Sequence, residues 1–299
     1  MATDDHLRII HLFPDILRFY GDGGNVSTLA NRARARSIDV TVIGVPVGAG
    51  RIPPADLVLI GGGQDREQVT VARELERLGP QLIDRITDGA ALLAVCGGYQ
   101  NLGMGYRTAL GMDLACPGLL PVTTDACGGR GRLVGSVVAL VSAALTSAGG
   151  SSGDERPGRR ADSVAVRTVV GFENHGGRTL LDAGARPFAW VEVGHGNNDV
   201  DGTEGVLLMP GEGGFGGLRI GTYLHGPLLP RNPHLADALI AAALARGGAP
   251  KALSQLDDRV EWDAHDAACD RIRRTARDDR RLPGWAHRVV DPVRNLVGY

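Results

Sequence analysis

Ala91-Leu92-Leu93-Ala94-Val95 runs unbroken into Cys96, Gly97 and Gly98, and Tyr99-Gln100 then reads as the start of a helix. A short, wholly apolar run bounded by glycines fits a strand buried on both faces. Such a strand needs parallel neighbours and a covering layer of helices on each side, which commits the chain to an α/β sheet. The cysteine then sits at the strand tip, on a sharp turn into a helix. A nucleophile held there is exposed, lies near backbone N–H donors and faces the positive end of the helix. A thiol so placed is expected to have a lowered pKa and to react as thiolate. The competing reading is a buried structural cysteine; the double glycine and the apolar approach favour the nucleophile.

The rest of the chain repeats the strand-helix alternation. Strands are expected at Leu7 to Phe13, Asp39 to Val47, Leu57 to Ile60 and Ala90 to Val95, with helices over Val26 to Arg36, Gln68 to Leu78 and Gln81 to Thr87. Gly21 to Asn25 and Gly171 to Thr179 read as loops. Leu133 to Leu145, Val164 to Val170, Ala189 to Val193 and Leu218 to Tyr223 have strand character, and Pro233 to Ala245 is a helix with proline in its first turn. Thr146 to Asp162, rich in Ser, Gly and Arg, reads as a mobile surface loop. Ser254 to Arg281 mixes both charge signs and reads as a surface helix with a solvated face, followed by an irregular tail containing Trp285. The expected organisation is one domain over 1–250, with a loop insertion at 146–162, and a charged extension over 251–299. In a mostly parallel sheet, ligands bind at the carboxyl ends of the strands. Gly61-Gly62-Gly63 and Cys96 both fall there.

The 299 residues carry 43% hydrophobic side chains and a net charge of -2, enough for a core and without the basic excess of a nucleic-acid binder. No apolar run approaches the roughly 20 residues of a membrane span. The N-terminus is acidic and polar, unlike a secretory signal. The four cysteines, Cys96, Cys116, Cys127 and Cys269, show no zinc-ligand spacing. Reduced thiols, no metal and a cytoplasmic enzyme are expected.

A cysteine nucleophile needs a base. His225, in Gly221-Thr222-Tyr223-Leu224-His225-Gly226-Pro227, follows a strand end and precedes a Gly-Pro turn, which puts it on the same sheet edge as Cys96. His175, in a segment dense in polar residues and glycine, reads as a substrate-binding or positioning residue, and His195 lies in another loop able to reach the site. Attack on a carboxamide makes an oxyanion that backbone N–H groups must meet. The glycines at 61–63 allow close backbone approach, and Gly97 offers a further N–H.

Together these segments resemble the class I (triad-type) glutamine amidotransferases. Ala94-Val95-Cys96-Gly97-Gly98-Tyr99-Gln100 is similar to that family's Gly-x-Cys-x-Gly-x-Gln nucleophile turn, with Ala94 in place of the first glycine. Tyr20 to Asn25, Ile60 to Gln68, Gly171 to Thr179 and Gly221 to Pro227 resemble the cobyric-acid-synthase-like branch, and within it the glutaminase subunits of lipid II isoglutaminyl synthases. The resemblance spans roughly residues 7–250. It implies a flavodoxin-like amidotransferase domain, with Cys96 as nucleophile, His225 as general base, and Gly62 or Gly63 with Gly97 as oxyanion hole. Gln100 and His175 would belong to the substrate pocket. Arg132 matches the arginine that holds the glutamine carboxylate, with Arg130 close enough to compete for that role. Most relatives carry a glutamate two residues after the histidine. Here that place is Pro227, so Asp22, or else Glu173, is expected to orient His225.

The resemblance further implies L-glutamine as substrate and a MurT-like ATP-dependent Mur ligase as partner. Lipid II would be handled by that partner. No Gly-x-x-x-x-Gly-Lys-[Ser/Thr] string occurs here, so no cofactor is expected in this chain, and ATP and Mg belong to the ligase. Two other readings remain: an amidotransferase subunit for corrinoid (cobyrinate-type) amidation, and a non-catalytic regulatory subunit of a ligase.

Overall fold

A computed structural model describes residues 6–17, 21–148 and 168–281. In chain order it contains β1 (His6–Leu12), α1 (Gly23–Arg34), β2 (Asp39–Val45), β3 (Leu57–Ile60), α2 (Asp65–Thr87), β4 (Ala91–Val95), α3 (Gly97–Asn101), β5 (Gly105–Arg107), β6 (Asp113–Leu114) and β7 (Val122–Asp125). There follow β8 (Leu133–Val141), α4 (Ala143–Ala148), β9 (Thr168–His175), β10 (Arg178–Leu181), β11 (Ala189–Val193), β12 (Thr203–Glu204), β13 (Val206–Leu208), β14 (Arg219–Thr222), α5 (Pro233–Ala245) and α6 (Arg259–Arg281).

The main sheet is six-stranded, in the order β13-β14-β4-β3-β1-β2. Its parallel strands read 2-1-3-4 and then β14, the doubly wound flavodoxin-like order; β13 closes one edge in antiparallel register with β14. Because β1 to β2 and β3 to β4 step in opposite directions, right-handed crossovers place α1 and α2 on opposite faces. Both inner strands β3 and β4 are buried at every position, as their apolar runs require. The mostly parallel sheet expected from the alternation is therefore present. Two four-stranded sheets accompany it, β10-β7-β5-β6 and β12-β11-β8-β9.

Several local expectations change. The helices expected on either side of Gly79-Pro80 are one helix, because Val71, Leu75, Leu78, Leu82 and Ile86 keep a single buried face across the proline. That burial outweighs the roughly 3 kcal/mol a mid-helix proline costs. Helix α1 begins at Gly23, inside the expected loop. A side-chain Cβ on Gly24 would sit 2.9 Å from Pro227 Cγ, so glycine there permits the close approach of α1 to the His225 turn. Leu133 to Leu145 divides into β8 and α4. Gly171 to Thr179 is not a loop but the end of β9, a two-glycine turn and the start of β10. Its period-2 pattern is hidden because the inward positions are Glu173 and His175, polar residues with buried partners.

The charge-mixed helix α6 is not merely solvated. Ala268, Cys269 and Ile272 pack on Val138 and Val170 of the β8-β9 sheet. Trp262 stacks on His234 of α5 at 5.2 Å, which docks it on the body of the chain, and His265 hydrogen-bonds Thr168. The connecting stretch is pinned by Arg32 of α1, whose guanidinium reaches Asp237 at 2.8 Å and Asp258 at 2.6 Å. The expected loop beyond Ala148 and the tail with Trp285 lie outside the described residues.

Candidate active site

Strand register brings four segments to one edge. Leu12 pairs with Ile60, Ile60 with Ala94, and Ala94 with Gly221, so the chain leaves β1, β3, β4 and β14 at the same level. Beyond that level lie Asp22, Gly61 to Gly63, Cys96 and His225.

Cys96 has φ +49°, a conformation rarely adopted by residues other than glycine, and one that costs on the order of 1–3 kcal/mol. Its surroundings hold it there. Cys96 N–H donates to the Thr222 carbonyl at 2.8 Å, and Gly98 N–H donates to the Gly61 carbonyl at 3.1 Å. Asn101 Nδ2 donates both to the Gly97 carbonyl at 2.8 Å and to Gln68 Oε1. A Cβ on Gly97 would lie 2.3 Å from Gln68 Nε2, so glycine there lets the buried Gln68 amide pack directly on the turn. Gln68 closes the unusual Gly-Gly-Gly-Gln-Asp-Arg-Glu-Gln string, which was the only sequence signal for its place here.

His225 is 1% exposed. Its backbone forms an antiparallel bridge with Phe172 of β9, through hydrogen bonds of 2.7 and 3.2 Å. Its Nδ1 donates to Asp22 Oδ1 at 3.3 Å, and its ring lies close enough to the Cys96 sulfur to feel its charge. Asp22, fully buried, accepts the Gly62 N–H through Oδ2 at 2.7 Å. Although Asp22 stands at the N-cap position of α1, its side chain makes no capping bond and points to His225 and Gly62 instead. Burial disfavours the imidazolium, but the Cys96 sulfur and the Asp22 carboxylate overcome it and raise the His225 pKa to about 10. A Cβ on Gly62 would fall 2.4 Å from His225 Cε1 and 3.2 Å from Cys96 Cβ, so this glycine marks the closest backbone approach to the pair.

Of the two acids weighed against His225, Asp22 meets it. Glu173 turns instead to the backbone N–H groups of His195 at 2.7 Å and Gly196 at 2.9 Å. Arg132 donates from Nε to Asn174 Oδ1 at 2.7 Å and from Nη2 to the Asn174 carbonyl at 2.9 Å. That carbonyl is 4.0 Å from Cys96 Sγ, which brings the guanidinium to the rim of the nucleophile. Arg130 contributes its carbonyl, which accepts from Arg178 at 3.0 Å. Gln100 and His175 are both buried. Gln100 Nε2 donates to Tyr223 Oη at 3.2 Å, and the His175 ring stacks on Tyr223 at 3.5 Å. Both therefore support the site through Tyr223. His195 donates its backbone N–H to Glu173 and pairs its ring with Asp199 at 2.7 Å. Tyr223, Asn174, Asn101 and Gln68 are neighbours that residue-by-residue reading did not single out. Among the described residues, no group of three or more His, Cys, Asp or Glu side chains is arranged to hold a metal.

A doubly wound sheet with a strained cysteine elbow on its carboxyl edge and a buried histidine against it is the arrangement of a class I glutamine amidotransferase. The chain belongs to the CobB/CobQ-like glutamine amidotransferase domain family, whose sequence profile matches residues 8–233. It is 36% identical over 269 residues to the lipid II isoglutaminyl synthase (glutamine-hydrolyzing) subunit GatD of Staphylococcus aureus strain N315, covering 90% of this chain and 97% of that one. To the subunit of the same name from Streptococcus pneumoniae strain ATCC BAA-255 / R6 it is 32% identical over 242 residues, 80% of this chain and 81% of that one. A cobyric acid synthase of Sphingopyxis alaskensis is 29% identical over 158 residues, 51% of this chain but 24% of that protein. No helix among the described residues is long and apolar enough to cross a membrane.

Proposed function

We propose that this chain is the glutaminase subunit of a lipid II isoglutaminyl synthase, and that Cys96, His225 and Asp22 carry its chemistry. The observation behind this is the buried Asp22–His225 contact beside Cys96. Cys96 thiolate attacks the side-chain carbonyl carbon of L-glutamine, and a thioester forms as the C–N bond breaks. The imidazolium of His225 gives its proton to the leaving ammonia. Water, deprotonated by the now neutral His225, then cleaves the thioester to glutamate. Asp22 holds Nδ1–H and so leaves Nε2 for these transfers.

Asp22 already engages the Gly62 N–H, so Gly63 and Gly97 are the amides left for the oxyanion. The Gly97 N–H opens α3 and has no acceptor in its own helix. Arg132 holds the glutamine carboxylate by exchanging its Asn174 contacts for a bidentate grip. Gln100 and His175 shape the pocket by fixing Tyr223.

Ammonia passes to a MurT-like ligase in the cytoplasm. That ligase, with ATP and Mg, amidates the α-carboxylate of D-glutamate in the lipid II stem peptide to D-isoglutamine. The cover of the GatD relatives over most of both chains favours this acceptor over a corrinoid, because the synthase match spans 24% of that protein. The test is mass spectrometry of stem peptides after depletion of this chain. The second-position residue shifts from isoglutamine to glutamate, and Cys96→Ala fails to restore it. Unchanged amidation overturns the acceptor assignment, and corrinoid amides are then measured.

A further inference from the structure

Glu204 of β12 is wholly buried and has no part in the chemistry above. Its Oε1 accepts two hydrogen bonds, from Thr222 Oγ1 at 2.6 Å and from Tyr223 N–H at 2.8 Å. Its Oε2 is buried and meets no donor among the described residues. Thr222 is the residue whose carbonyl receives the Cys96 N–H at 2.8 Å, and its hydroxyl also accepts the Leu224 N–H at 3.0 Å. One residue beyond Leu224 comes His225. The segment from Thr222 to Leu224 is thus the span between the nucleophile's backbone anchor and the base, and Glu204 grips that span at two points.

A carboxylate buried without a cation is costly, and burial raises the Glu204 pKa to about 7. Packing alone would be served as well by an apolar residue. What the carboxyl adds is a pair of directional contacts to the one segment that fixes Cys96 relative to His225.

We propose that Glu204 is a positioning residue, which sets the separation of Cys96 and His225 by holding Thr222 and Tyr223 through its Oε1. It acts as an acceptor, so its carbonyl oxygen, not its charge, is the working part. The inference rests on the Cys96–His225 pairing proposed above.

The readout is the rate at which iodoacetamide alkylates Cys96 in the full chain, followed by peptide mass spectrometry across pH, with Cys116, Cys127 and Cys269 as internal references. Melting temperatures are measured alongside, and rates are compared where each variant is folded. Glu204→Gln keeps an acceptor carbonyl and stays within about threefold of wild type, whereas Glu204→Ala loses about tenfold or more at neutral pH and its profile moves to higher pH. Should Glu204→Ala not fold, Thr222→Val against Thr222→Ser decides: valine removes one of the two contacts and slows Cys96, while serine restores it.

A wild-type rate in Glu204→Ala, or equal losses in Glu204→Gln and Glu204→Ala, overturns the positioning role. If His225→Ala leaves the Cys96 rate and its pH profile as in the wild type, the Cys96–His225 pairing itself fails, a result separate from failure of Glu204.

Discussion

Asp22 and His225 are 203 positions apart in the chain, and their side chains meet at 3.3 Å. The same carboxylate holds the Gly62 N–H at 2.7 Å, so one buried acid fixes both the base and the glycine loop over the nucleophile. Pro227 occupies the place where most class I relatives carry a glutamate. Its ring lies where a side chain on Gly24 would collide, so the turn after His225 and the start of α1 close on each other with Asp22 between them.

Asp22→Asn is expected to lower kcat for glutamine hydrolysis by about 100-fold or more, with KM changed by only a few-fold, because the amide can present a donor to Nδ1 and favour the wrong tautomer. Steady-state ammonia release from the full chain with its ligase checks this. A wild-type kcat would remove Asp22 from the mechanism.

The raised pKa of His225 has a definite sign for stability. A group protonated in the fold up to about 10, against an ordinary 6.5, stabilises fully below 6.5 and loses that contribution as pH rises toward 10. The Cys96 sulfur is the leading contribution that raises it, so Cys96→Ser is expected to bring the imidazole titration down. Nuclear magnetic resonance of the His225 ring protons reads it directly. Thermal melts between pH 7 and 10 should fall less steeply in Cys96→Ser than in wild type.

Gly62→Ala places a methyl 2.4 Å from His225 Cε1, where the imidazole must move. Hydrolysis is expected to fall by about 100-fold or more, since displacements near 1 Å suffice for that. The melting temperature separates this from unfolding: a folded, fully active Gly62→Ala would contradict the packing described here.

Asp237 and Asp258 share Arg32, but only Asp237 also serves Arg36. Asp237→Ala leaves two guanidiniums short of a partner and is expected to cost about 3 kcal/mol. Asp258→Ala leaves Arg32 paired and should cost about 1 kcal/mol. Denaturant titration of both variants tests the order; equal losses would mean that Arg36 gains nothing from Asp237.

The parallel sheet and its carboxyl-edge site were legible because β3 and β4 are wholly apolar, β3 running into Gly61 and β4 through Cys96 into Gly97. The helix Pro233–Ala245 was legible from its first-turn proline and its buried stripe. Cys96 and His225 could be paired because both follow a strand end. The β9-β10 turn was not legible, since burial there falls on Glu173, held by the distant backbone of His195 and Gly196, and on His175, stacked on Tyr223. Nor was the docking of α6: its apolar stripe is short, and its fit depends on His265, Thr168 and Trp262, which sequence spacing does not connect. Glu204 lies in a two-residue strand whose importance arises only when Thr222 folds beside it.

The bridge between His225 and Phe172 ties the base to a sheet other than the one bearing the nucleophile. That second sheet is backed by α6 through Val138 and Val170. His225 is therefore held from two sides, by β14 of the nucleophile's own sheet and by β9 of the second sheet, and the alignment of the two sheets is itself a catalytic variable. Loosening α6, whose 23 residues make a helix about 35 Å long, would detune proton transfer before it disturbed the fold of the main sheet.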